Sequence, residues 1–203
     1  MIQLSISYNK DFELERIKST VFKLPWYTEQ GYQVTLPQVS AENPAELSYS
    51  RALDKEYDVK IYETYKKNLN DFWESFLPKL EAVAQKQEII FPSSISVILT
   101  KYGTGGSYDA VLNEIILNIQ NRPIDSVCAT LVHEMVHISI QSFIQTYSIL
   151  HWKKERIVDL LVEHYFPGLR ALQIITEDVS SADKAFKQFY GNIENLIYSM
   201  SNY

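Results

Sequence analysis

One stretch of this chain restricts its fold more than any other. Between positions 125 and 143, apolar side chains fall on nearly every side of a helical wheel: Val127, Ala129, Leu131, Val132, Met135, Val136, Ile138 and Ile140. A helix that is apolar all round is a buried helix. No stretch reaches the roughly 18 apolar residues of a membrane span, so a protein core is expected to enclose it. Asp125 is its predicted N-cap. The same helix carries His133, Glu134 and His137. Polar groups placed there must find partners.

Residues four apart on a helix differ by about 40° around its axis, so the rings of His133 and His137 point the same way from adjacent turns. At about 6 Å apart, they are suited to chelate one zinc ion through two imidazole nitrogens. Glu134 lies about 100° from His133. It is poorly placed to bind the same ion but can reach a water on it, which is the position of a general base for hydrolysis. The plainer reading is a pair of core histidines satisfied by local hydrogen bonds. Two on one apolar face, however, would need two sets of partners.

A catalytic zinc site needs a third protein ligand and an open position. The next predicted helix is capped by Ser148, runs to Tyr165 and stops at Pro167-Gly168. It offers Glu155 and, one turn on, Asp159. Eighteen residues separate Glu155 from His137, enough to turn and bring the second helix back antiparallel. Asp159 is suited to hold the second nitrogen of His133 and so fix its tautomer. A solvated face with Lys153, Lys154 and Arg156 as ion-pair partners is the alternative. His151, four before Glu155, shares that face and is a rival third ligand. His164 falls about 180° from Glu155 and is expected to be structural or exposed. Cys128 reads as a small buried side chain.

Upstream, Met1 to Tyr8 alternates as a strand and Asp11 to Lys23 reads as a short helix. The proline-broken stretch from Leu24 to Ser48 is expected to be mostly irregular, with one strand candidate at Tyr32 to Leu36. Ala52 to Gln87 has helical periodicity, with a kink or restart expected at Pro78. Strands are predicted at Ile95–Lys101, Ser107–Leu112 and Ile115–Ile119. A glycine-rich turn and a tight Asn113-Glu114 reversal separate them, suggesting a small meander. Leu169 to Tyr203 reads as helical, interrupted near Thr176 to Ser181 and at Gly191.

The formal net charge is −6, with 19 basic and 25 acidic residues and no basic run. A nucleic-acid or other phosphate-binding surface is therefore not expected. A single cysteine excludes an internal disulfide framework. The start of the chain lacks the pattern of a secretory signal, so a cytoplasmic, membrane-free protein is expected.

His133-Glu134-x-x-His137 followed by Glu155-x-x-x-Asp159 resembles the gluzincin zinc metallopeptidases, the thermolysin-like branch of the zincins. The resemblance spans roughly 56–167 and extends to the order of elements: backing helix, strand, glycine-rich turn, edge strand, inner strand, active-site helix. It implies an α+β, zincin-like single domain over 1–203. An N-terminal strand and loop region (1–55) would precede the catalytic core (56–167), and a small helical C-terminal subdomain (168–203) would follow. It implies one zinc per chain on His133, His137 and Glu155, with Glu134 as base and Asp159 behind the ligands. The implied activity is that of a metalloendopeptidase acting on peptides or proteins. It also implies that the strand over Gly106, Ser107, Tyr108, Asp109 and Ala110 pairs its edge with an extended substrate.

There are departures. The chain is short, and the downstream His or Tyr that steadies the tetrahedral intermediate has no clear counterpart; Tyr147, Tyr165 and Tyr190 are the candidates. With His151 as third ligand the site would resemble SprT-type three-histidine proteases. The metzincin pattern fails at Ile140 and Phe143. A zincin-fold binding or regulatory module, or a latent peptidase whose cleft is covered by Leu24 to Ser48 or by the C-terminal helix, are the other readings.

Overall fold

The computed structural model describes residues 2–38, 46–86, 88–169, 175 and 177–201. Among these, seven helices surround a four-stranded mixed sheet, an α+β arrangement. Of the predicted interruption near Thr176 to Ser181, residue 176 lies outside the described residues, as does the chain end at Tyr203, while 177–179 are non-helical and a helix begins at Ser180.

Ser94–Thr100 (β2) alternates, with Ile95, Val97 and Leu99 buried. Gln3–Ser7 (β1) pairs parallel to it on one side and Glu114–Asn118 (β4) on the other. Gly106–Asp109 (β3) pairs antiparallel with β4 and forms the sheet edge, so the order is β1-β2-β4-β3. The predicted meander is therefore wrong, because β3 follows β2 in the chain without pairing with it. After β2 the chain swings outside, runs back as β3, and reverses tightly to lay β4 between them. Local turn chemistry makes that reversal. Asp109 Oδ1 accepts from the N–H groups of Val111 and Leu112 at 2.8 and 3.0 Å, and Asn113 takes φ 50, a conformation its short polar side chain tolerates.

Lys10–Glu29 (α1) is longer than predicted and continues through Pro25. The side chain of Asn9 caps it by accepting from Phe12 N at 2.7 Å. Its docking depends on Glu13, which is fully buried. Glu13 accepts from the Tyr62 and Thr100 hydroxyls and from Lys101 N at 2.9 Å. The predicted strand at Tyr32–Leu36 amounts to one antiparallel bridge, Thr35 to Gly103. The predicted helix over 52–87 is two helices, Glu46–Glu56 (α2) and Val59–Gln85 (α3), divided where Asp58 caps the second. Pro78 does not restart α3.

Ile124–Thr146 (α4) packs against β3, β4 and α3. It is long and apolar enough to cross a membrane but is mostly buried within this protein. Leu131, Val132, Met135 and Val136 meet the sheet and α3 in the main core. Pro123, not Asp125, holds the N-cap position; Asp125 lies in the first turn, where its charge favours the helix dipole. His151–Tyr165 (α5) packs against α4. Its N-cap is Leu150 without a side-chain bond, and Ser148 instead occupies a left-handed turn position at φ 50. Ser180–Phe189 (α6) and Ile193–Ser201 (α7) pack on each other, α6 against α5 and α7 against α4.

Candidate metal centre and cleft

His133, Glu134 and His137 are buried on α4, and Glu155 and Asp159 are buried on α5. Packing α5 on α4 brings three ligand atoms together. The Nε2 atoms of His133 and His137 are 3.0 Å apart. Glu155 Oε2 lies 3.3 Å from the first and 3.1 Å from the second. Ligands placed tetrahedrally about an ion at ~2.1 Å stand roughly 3.4 Å apart. Two imidazole nitrogens and a carboxylate oxygen facing one another at these distances form a group that can hold a metal ion.

The remaining atoms of these residues are held from behind. His133 Nδ1 is 3.2 Å from Asp159 Oδ1. Glu155 Oε1 faces Lys154 Nζ at 3.1 Å and His151 Nδ1 at 3.8 Å. One carboxylate oxygen is thus left for an ion while the other is anchored. His151 does not join the triangle, because its Nε2 is 2.7 Å from the Tyr32 hydroxyl. The ring of Tyr108, on β3, stacks on His137 at 4.8 Å and 10°, and its hydroxyl donates to Gln141 Oε1 at 2.7 Å.

Glu134 is aimed by a close approach between α4 and the edge strand. A Cβ on Gly106 would lie 2.5 Å from Glu134 Oε1 and 2.5 Å from Thr130 Cγ2, so any larger residue must displace the Glu134 carboxylate and the Thr130 methyl. Arg122 fastens this contact. Its Nη1 donates to the carbonyls of Gly105 and Asn118 at 2.7 and 3.0 Å, and its Nη2 to the Ser126 and Thr130 hydroxyls at 2.9 and 2.7 Å. The glycine-rich turn is thereby tied to the first turns of α4.

A cleft of about 180 Å³ opens onto Glu134, His137 and Glu155. Thr104, Gly106, Ser107 and Tyr108 form one wall, and Trp26, Tyr27 and Tyr32 another. The predicted edge-strand residues Asp109 and Ala110 lie beyond it. None of the tyrosines suggested by the sequence reaches it. Tyr147 bonds Glu194, Tyr165 bonds Glu88, and Tyr190 packs beside the exposed His164. Cys128 is buried, and burial pushes its thiol up to about 11. Lys154 pairs with Glu155, as the solvated-face alternative expected, but on a buried carboxylate; the aromatic wall and Arg122 have no counterpart among the residues singled out in the sequence. The only local hint was the density of aromatic residues between Trp26 and Tyr32.

Burial opposes a charge on His133, but hydrogen bonds to Asp159 and Glu155 outweigh it and push the pKa up from 6.5 to about 10. At His137 burial wins, and the pKa falls to about 3. Burial would raise Glu155 too, yet His137, His133 and Lys154 hold it far below the usual carboxylate range. Metal binding at His133 Nε2 must then expel one proton. Affinity for metal is expected to rise about tenfold per pH unit from roughly pH 7 to 9, as read by chelator competition; a flat profile would contradict the assignment. The metal-free fold should respond with the opposite sign. The raised pKa of His133 stabilises it fully below about 6.5, and that stabilisation is lost as pH climbs through about 10.

No protein-family model, curated protein or solved structure matches this chain.

Proposed function

We propose that the chain is a zinc-dependent peptidase of the zincin type. The convergence of His133 Nε2, His137 Nε2 and Glu155 Oε2, with Glu134 beside them on a cleft, carries the reading. Two imidazoles and one carboxylate with a side open to a cleft suit a catalytic zinc rather than a closed structural site. Bound zinc supplies a Lewis acid that polarises the scissile carbonyl and makes water more acidic.

The residues of the chain do the rest. Glu134 takes a proton from the attacking water as its oxygen bonds to the carbonyl carbon, and delivers that proton to the amine nitrogen as the C–N bond breaks. In the metal-free site burial raises the Glu134 pKa to about 7 against the opposing pull of His133, so burial there favours the protonated carboxyl. Asp159 orients His133, and Lys154 orients Glu155. β3 offers an edge that an extended peptide can join.

The test is metal removal. Purified protein should carry one zinc per chain and cleave mixed peptides. Chelation should abolish cleavage, and zinc should restore it. Protein that holds no metal after zinc loading, or that cleaves equally well without it, would end this reading.

A further inference from the structure

The second wall of the cleft is built around one phenol. α1 ends in a left-handed turn at Gly31, φ 72. Gly31 N donates to Thr28 O at 3.1 Å and Tyr32 N to Tyr27 O at 2.8 Å, the paired bonds that close a helix end of this kind. The turn folds Tyr32 back along α1, where its ring stacks with Trp26 at 5.8 Å and 24°. It also stacks with Trp152, on α5, at 5.8 Å and 20°. Three residues on, Thr35 and Gly103 exchange both backbone hydrogen bonds, at 2.9 and 2.8 Å. The segment is thus fastened before and after the ring.

The hydroxyl is fixed as well. It lies 2.7 Å from His151 Nε2, and the His151 ring is packed edge-on against Trp26 and Trp152. Tyr32 lines the cleft together with Glu134, His137 and Glu155. Burial, and then the charges of Glu155 and Glu134, push its pKa above the usual 10. The phenol therefore keeps its proton near neutral pH and is available as a hydrogen-bond donor.

The direction of its bond to His151 decides what it can do. A neutral imidazole has one N–H and one acceptor nitrogen. His151 Nδ1 is 3.8 Å from Glu155 Oε1, too far for a hydrogen bond, and Lys154 Nζ already meets that oxygen at 3.1 Å. Nothing among the described residues holds the proton on Nδ1. Carried on Nε2, it is donated to the phenol oxygen, and the Tyr32 O–H is left to donate into the cleft. Two other hydroxyls there are committed. Thr104 donates to Gly106 O at 2.9 Å and Tyr108 to Gln141 Oε1 at 2.7 Å.

Peptide hydrolysis has a use for such a donor. As water adds to the scissile carbonyl carbon, the C=O electron pair moves onto the oxygen. A fixed O–H aimed at that oxygen stabilises its charge without reorganising. When the C–N bond breaks, the pair returns and the phenol still holds its proton.

Resting on the peptidase reading above, we propose that Tyr32, which precedes α4 and α5 in the chain, is a catalytic residue: its hydroxyl, held by His151, donates a hydrogen bond to the carbonyl oxygen as that oxygen becomes negative. His151 is a positioning residue for it.

The test is Tyr32→Phe, which keeps the ring in its stack and removes only the hydroxyl. With zinc content confirmed and the fold checked by melting, kcat on peptides should fall roughly 10²- to 10³-fold while KM stays close to native. A phosphinic peptide, whose tetrahedral phosphorus carries a negative oxygen, should bind more weakly by a comparable factor, and the cleavage products should bind as before. His151→Gln should lower kcat less. Adding it to Tyr32→Phe should cost little more, because the two side chains act through one group. Native kcat in Tyr32→Phe, a loss confined to KM, or loss of zinc or of the fold would reduce the contact with His151 to a structural staple. Any of these would overturn the proposal and leave the peptidase reading standing. No cleavage of any peptide by the zinc-loaded native chain would overturn both.

Discussion

The Glu134→Gln variant is expected to hold metal as the native chain does and to hydrolyse peptides more slowly by roughly 10²- to 10⁴-fold. Glu134 lies outside the ligand triangle of His133, His137 and Glu155, so exchanging its carboxylate for an amide leaves the ion its full set of protein ligands. The amide keeps the shape that fits against Gly106 and Thr130 but cannot take a proton. Metal content, peptide turnover and thermal melting, measured together, isolate the effect. Native turnover in this variant would remove Glu134 as the base.

The second large effect is at Glu155. Glu155→Ala should lose metal altogether under conditions where the native chain is saturated. One ligand of three is gone, and Lys154 is left half-enclosed without its carboxylate. Asp159→Ala, which leaves the triangle intact, should weaken metal binding by only about 10- to 100-fold. Glu155→Gln separates loss of charge from loss of volume. It should melt closer to the native temperature than Glu155→Ala while still binding metal weakly. Full metal occupancy in Glu155→Ala would disprove the ligand assignment and return His151 to consideration.

The positions of His133, His137, Glu155 and Asp159 were legible because each pair repeats at four residues on its own helix. Packing two such stripes together needs only a turn between them. The order of strands was not legible. It depends on β4 entering between β2 and β3, which no local pattern encodes. Nor did anything in the sequence tie Arg122 to the turn at Gly105, or Tyr32 to His151 across 119 positions. The region before position 56 read as an N-terminal strand and loop, with Leu24 to Ser48 as one of two candidate covers for the cleft. It supplies a wall of the cleft, because α1 runs through Pro25 and brings Trp26 and Tyr27 to the mouth.

Glycines in this chain differ sharply in what they permit. Gly191 has open space around it and no left-handed backbone, so substitution there should accumulate freely as the gene drifts. Gly106 has a carboxylate and a methyl group where its side chain would grow. Any replacement must push Glu134 off its mark. Random mutagenesis selected only for soluble protein should therefore recover changes at both positions, whereas selection for turnover should return glycine at position 106 alone.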